Sequence, residues 1–238
     1  MPSVKSSETS DIIGGRLAEM LGGAAATRLT ASSRTVNAPA GGTIMMEGGR
    51  ATELFSVQSG IVSVFKLMPD GRRQITGFLY PGDFLGTTFN MAPTYGYGAE
   101  AVTAVSLRAY ARRDFERLLD EVPGVRRAFI AKMADELTEA QDRMVLLGHS
   151  SASERMASFL LAMARRQAGA EELPVTTVAI PMRWSDIADY MGLTAETVSR
   201  TLAVFRNRGI VRTAKPGEIS ILDAAALKAL AGPLAPRR

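Results

Sequence analysis

The sequence predicts an α+β chain: a compact antiparallel β-roll, then a long helix, then a winged helix-turn-helix. Residues 35–111 break into short β-favouring runs parted by Gly, Pro and Asp turns. Residues 123–149 carry apolar side chains at steps of three and four, and residues 184–221 read as helix, turn, helix and hairpin.

In chain order, residues 1–10 are polar and small, and residues 11–29 show a helical period broken by Gly14-Gly15 and Gly22-Gly23, which predicts one or two short helices. The β-runs follow, turning at Pro69-Asp70-Gly71 and Pro81-Gly82-Asp83. A short helix is expected over 114–122, and Pro123 suits the first turn of the long one. In that helix Ile130, Met133, Leu137, Ala140, Met144 and Leu147 form an a/d seam over nearly three heptads. Such a stripe can be intrachain core, but one bridging a β-domain and a helix-turn-helix fits a parallel homodimer. Asp142 and Arg143 lie beside it and can pair across it.

Ser151 and Glu154 make a capping box opening a helix to about Gln167, with Met156, Phe159, Leu160 and Met163 inward. A loop and strand pair over 168–182 lead to the helix-turn-helix, and 223–230 forms a closing helix before a loose tail. The expected division is an N-terminal tail and short helices (1–30), the roll (31–118), the dimerisation helix (119–149) and the winged domain (150–238).

Within residues 184–208, Ser185 suits an N-cap and Ile187, Ala188 and Met191 share one face. Gly192 supplies the positive φ that ends the first helix, and Thr194 caps the second. Val198, Leu202 and Phe205 form the buried stripe of that second helix. Glu196, Ser199 and Arg200, at i, i+3 and i+4, project together from the opposite side. Arg can fork to a guanine, Glu can accept from a cytosine amine, and Ser can do either, so the trio has the shape of a base-reading face for double-stranded DNA, although many such helix pairs serve packing alone. Residues 209–221 read as two strands around a Lys215-Pro216-Gly217 tip, a wing. Thr194, Thr197, Arg206, Arg208, Arg212 and Lys215 are the candidate phosphate contacts.

The 238-residue chain carries a net charge of +4 and a pI near 9.6. Over 183–215 six Arg or Lys stand against Asp186, Asp189 and Glu196, so the basic excess sits on the reader. With no cysteine there is no disulfide, no thiolate-held zinc and no cysteine-ligated iron–sulfur cluster. His149, the only histidine, ends the long helix, which leaves no metal site and no basis for an enzyme of the cupin type. No apolar run reaches the roughly 18 residues of a membrane span, and no signal peptide is visible, so a soluble cytoplasmic protein without membrane contact is expected.

The run RWSDIADYMGLTAETVSRTL resembles the DNA-reading helices of the CRP/FNR superfamily of bacterial transcription regulators, and the order Glu196, Ser199, Arg200 resembles its FNR and FixK branches. The resemblance extends over about 42–222 and implies a homodimeric activator on a TTGA-N6-TCAA palindrome, acting through RNA polymerase. The glycines at 60, 71, 82 and 86 are spaced like those of the superfamily's cyclic-nucleotide-binding β-roll. Nucleotide-binding members carry Gly-Glu and Arg-Ser-Ala there, whereas this chain has Gly86-Thr87 and Tyr97-Gly98-Ala99. Gly82, Gly86, Thr87 and Tyr97 mark the possible effector pocket. Without the carboxylate and the arginine a buried cyclic nucleotide lacks its partners, so no cofactor is expected. A ligand-gated regulator holding haem, a cyclic nucleotide or another small molecule in the roll is the open alternative.

Overall fold

The computed structural model describes residues 33–87, 93–168 and 177–232. The expected helices over 11–29 and the loose tail therefore lie outside the described residues. The chain forms two compact units, Met1–Asp135 and Glu136–Arg238.

In the first unit each of the four β-favouring runs folds as two strands: β1 (Ser33–Ala38) and β2 (Thr43–Met45), β3 (Glu53–Ser59) and β4 (Val62–Leu67), β5 (Arg73–Leu79) and β6 (Phe84–Leu85), β7 (Gly98–Ala101) and β8 (Val105–Ala111). They pair antiparallel into two four-stranded sheets, ordered β1-β8-β3-β6 and β2-β7-β4-β5. Side chains alternate along a strand. Phe55, Leu85, Leu107 and Ala109 from the first sheet therefore meet Met45, Val62, Ala99 and Ala101 from the second in one core. Their sequence neighbours Leu54, Phe84 and Tyr110 point the other way, into a second cluster with α1 (Arg112–Glu121) and the first turns of α2 (Pro123–His149). The β-roll is thus covered on one outer face, and Phe115 packs edge-on to Phe129 with ring centroids 5.6 Å apart. Lys132 of α2 reaches Asp83 at 3.1 Å, which anchors the Pro81-Gly82-Asp83 turn. The helix expected from Asp114 starts two residues earlier, at Arg112, whose guanidinium pairs with Glu116 one turn on at 2.9 Å.

The second unit holds the end of α2, then α3 (Ala152–Ala168), β9 (Thr177–Ala179), α4 (Trp184–Tyr190), α5 (Ala195–Asn207), β10 (Val211–Lys215), β11 (Glu218–Ile221) and α6 (Ala224–Ala231). The capping box forms as expected: Ser151 N donates to Glu154 Oε2 at 2.6 Å, and Glu154 N donates to Ser151 Oγ at 3.3 Å. The Ser151 side chain first, then its amide, holds the Glu154 carboxyl below the usual carboxylate range. Met156, Phe159, Leu160 and Met163 are buried, as are Val198, Leu202 and Phe205 of α5. The hairpin β10–β11 takes β9 as a third strand, in the order β10-β11-β9. That is one strand of the pair expected ahead of α4; residues 169–176 lie outside the description.

Ser185 is not the cap of α4. Arg183 holds the N-cap position without a capping side chain, and its guanidinium instead grips Asp186 of the first turn at 2.9 and 3.1 Å. The acidic side chain sits at the positive end of the helix, which moves the start back to Trp184.

Two glycines separate backbone strain from space. Gly60 (φ 82) and Gly71 (φ 83) share one left-handed conformation, but a Cβ on Gly60 lies 2.3 Å from the Ala104 carbonyl oxygen while one on Gly71 meets nothing within 4 Å. We expect Gly71→Ala to cost about 1 kcal/mol in urea denaturation and Gly60→Ala about 3 kcal/mol or more. Equal losses would place the whole cost in the backbone angle.

Candidate nucleic-acid interface

The two helices of the reader are set by their ends. Past α4, Gly192 takes φ 63, its amide donates to Asp189 O at 3.0 Å, and the Leu193 amide donates to Ala188 O at 2.8 Å. The chain then reverses at once into Thr194, whose Oγ1 accepts the Thr197 amide at 3.1 Å and lies 2.9 Å from Thr197 Oγ1. Thr201 Oγ1 donates back to Thr197 O at 2.9 Å. Thr194 and Thr197, singled out as phosphate contacts, therefore build the N-terminus of α5, where amides and the helix dipole favour an anion.

Along α5 the buried and exposed faces are opposite. Val198 and Phe205 are almost fully enclosed, whereas Glu196, Ser199 and Arg200 are exposed. Arg200 Nη2 donates to Glu196 Oε1 at 2.5 Å, with the side chains 71% and 80% exposed. A pair this wet adds little to stability. It does hold a cation with several N–H donors beside a carboxylate acceptor on the first two turns, the combination that a G·C step presents partners for.

Flanking cations surround this face. Arg206 Nη1 donates to Thr213 Oγ1 of β10 at 3.4 Å, a weak tie between α5 and the wing. Arg208 and Arg212 are exposed, and Lys215 at the wing tip lies 3.9 Å from Glu218. A cleft of about 200 Å³ separates helix from hairpin, lined among others by Trp184, Ser199, Arg206, Thr213 and Pro216.

The other singled-out residues fall in two places. On α2, Leu137 and Met144 are 61% and 71% exposed, Ile130 and Leu147 are also exposed, and Ala140 is half-buried. Met133 packs on the cluster around Phe115 and Phe129. Asp142 is exposed, and Arg143 lies over the Tyr190 ring, 4.9 Å from its centroid. His149 is the exposed last residue of α2.

In the roll, the Gly86 amide donates to the Tyr97 hydroxyl at 2.9 Å. The Gly82 amide donates to Val57 O at 2.9 Å, and Thr87 is half-buried. Tyr95 donates to Glu53 O at 2.8 Å, and burial raises its phenol. The four pocket candidates thus offer a phenol and a hydroxyl, with the phenol already engaging the loop amide. Among these four a cyclic nucleotide's phosphate finds no cation and its ribose hydroxyl no carboxylate, so this donor set does not fit one. Sequence reasoning missed the Gly86–Tyr97 bond, because nothing local to an eleven-residue separation signals it.

Residues 35–122 match the family described as a cyclic nucleotide-binding domain, and residues 154–230 match the Crp-like helix-turn-helix domain. The nitrogen fixation regulation protein FixK of Bradyrhizobium diazoefficiens is 41% identical over 201 residues, covering 83% of this chain and 82% of that protein. The transcriptional activatory protein AadR of Rhodopseudomonas palustris is 40% identical over 187 residues, covering 76% and 74%. The solved structure of FixK2 from Bradyrhizobium japonicum superposes with a TM-score of 0.75 at 35% identity, covering 83% of this chain and 96% of that one. Among the described residues no helix is long and apolar enough to cross a membrane. With its β-roll, its winged helix-turn-helix and these relatives, the chain belongs to the CRP/FNR family of DNA-binding transcription regulators.

Proposed function

We propose that the chain works in the cytoplasm as a homodimer, activates transcription with RNA polymerase from a TTGA-N6-TCAA-like palindrome, and needs neither a cyclic nucleotide nor an iron–sulfur cluster to do so. The observation that carries this is the outward face of α5: Glu196, Ser199 and Arg200 stand exposed on a helix fixed by a buried stripe and a side-chain cap. Glu196 accepts from a cytosine amine, Arg200 forks to a guanine, and Ser199 takes a neighbouring edge. Thr194, Thr197, Arg206, Arg208, Arg212 and Lys215 meet phosphates on either side and set the register.

A palindrome needs two reading heads, and the exposed stripe on α2 supports the partner. Leu137 and Met144 are large apolar side chains left in water; a second copy buries them at about 25 cal/mol per Å². In this reading 31–118 is a sensor-type roll, 119–149 the dimerisation helix and 150–238 the reader, with 1–30 preceding them. The activating role follows that of the relative AadR, a transcriptional activatory protein. Independence from cyclic nucleotide follows the uncharged pocket candidates Gly82, Gly86, Thr87 and Tyr97, and independence from a cluster follows the absence of cysteine.

The test is fluorescence anisotropy of ligand-free protein on the palindrome and on a scrambled duplex. Selective binding supports the reading; equal, weak binding by a folded dimer contradicts it and points to an effector. Arg200→Ala should weaken the correct site by about 1–3 kcal/mol and relax discrimination at one base pair, as measured on single-base variants of the site. Lys215→Ala should instead weaken all sequences alike and lower the slope of log affinity against log salt by about 1. Leu137→Glu should shift the protein from dimer to monomer in sedimentation equilibrium while its circular dichroism is retained.

A further inference from the structure

In the second unit, one guanidinium joins the ends of two helices. Arg155, in the first turn of α3, donates through Nε to Ser150 O, through Nη2 to Leu147 O and through Nη1 to Met191 O, each at 2.9 Å. Leu147 lies in the last turn of α2, and its carbonyl lacks a helical amide partner because the helix ends at His149 and the Ser151 amide turns instead to Glu154. Met191 is the C-cap of α4, the first helix of the reader. A planar, permanently charged fork at the negative ends of two helix dipoles satisfies carbonyls that otherwise face water.

Three further contacts close the same joint. Gly192 sits where an added Cβ would meet Leu147 Cδ2 at 3.3 Å and Arg155 Nη1 at 3.5 Å. Arg143 of α2 lies over Tyr190 of α4, whose ring is 6.1 Å from that of Phe159. Arg166 of α3 reaches Glu139 of α2 at 3.7 Å. The last turns of α2 therefore belong to the same compact unit as the reader, Glu136–Arg238.

We infer that Arg155 is a positioning residue: its fork locks the α4–α5 reader to the end of α2, and so sets the distance between the two recognition helices in the dimer. The inference rests on the dimeric reading of a palindrome proposed above. A lysine at 155 keeps the charge but has a single nitrogen, which cannot reach three carbonyls in one plane.

The experiment compares wild type, Arg155→Lys and Arg155→Gln on duplexes with N5, N6 and N7 spacers and on a duplex with one half-site. The expected result is half-site affinity within about twofold of wild type, while the preference for N6 over N5 and N7 falls by about tenfold in both variants. Sedimentation establishes that the variants remain dimers, and the glutamine variant serves if the lysine variant does not fold. Spacer preference unchanged, or half-site and N6 affinity falling together, overturns the inference. A wild type with no spacer preference overturns the dimeric reading itself, and the inference with it.

Discussion

The second unit is organised by one constraint on α5: one face must be buried deeply enough to fix the helix while the opposite face stays in water. Val198 and Phe205 meet the first demand, and Leu202 and Thr201 extend the buried side. That stripe needs a floor, which α3 and α4 supply by packing on α5; Met156, Leu160, Ile187 and Ala188 of these helices are likewise buried. It also needs an entry fixed to within one residue, because a helix turns 100° per residue and a shifted start would turn Glu196, Ser199 and Arg200 together away from the solvent side. Gly192 and the Thr194 cap provide that fixed entry. The wing is then a consequence of the exit: the chain leaves α5 at Gly209 and returns as β10, and Pro216 and Gly217 at the tip, next to Lys215, line one cleft with Ala195 and Ser199 of α5.

A related demand acts on α2. Its early turns bury Val125, Ala128 and Phe129 against the roll's covering cluster, whereas Leu137 and Met144 further along have no comparable cover among the described residues. An apolar stripe that is half enclosed and half bare is costly in water and inexpensive once paired. The roll shows the complementary economy. Two of its pocket candidates are tied to each other, the Gly86 amide donating to the Tyr97 hydroxyl, and a third, Gly82, gives its amide to Val57 O.

Much of this was legible in sequence, for local reasons. Gly192, Thr194, the Ser151–Glu154 box and the glycine turns act over a few residues, so their signals survive in a linear reading. The outward trio of α5 was legible because helical period alone separates Glu196, Ser199 and Arg200 from Val198 and Phe205. What stayed hidden depends on distant partners. Leu54 and Phe55 are both buried because helices cover one side of their sheet, so no alternation marks which faces inward. Arg155 reads as an ordinary helical cation until Met191, thirty-six residues on, is brought beside it. Ser185 misled because the cap position is decided by where Arg183 finds Asp186, not by residue type.

Two copies, without any effector, are proposed to present two α5 helices to one duplex. Native mass spectrometry of the ligand-free protein mixed with a single palindromic duplex reads this stoichiometry. One dominant complex with two chains per duplex is expected, formed on TTGA-N6-TCAA and not on its scrambled counterpart. A single chain per duplex, or two chains bound equally to both sequences, would contradict it.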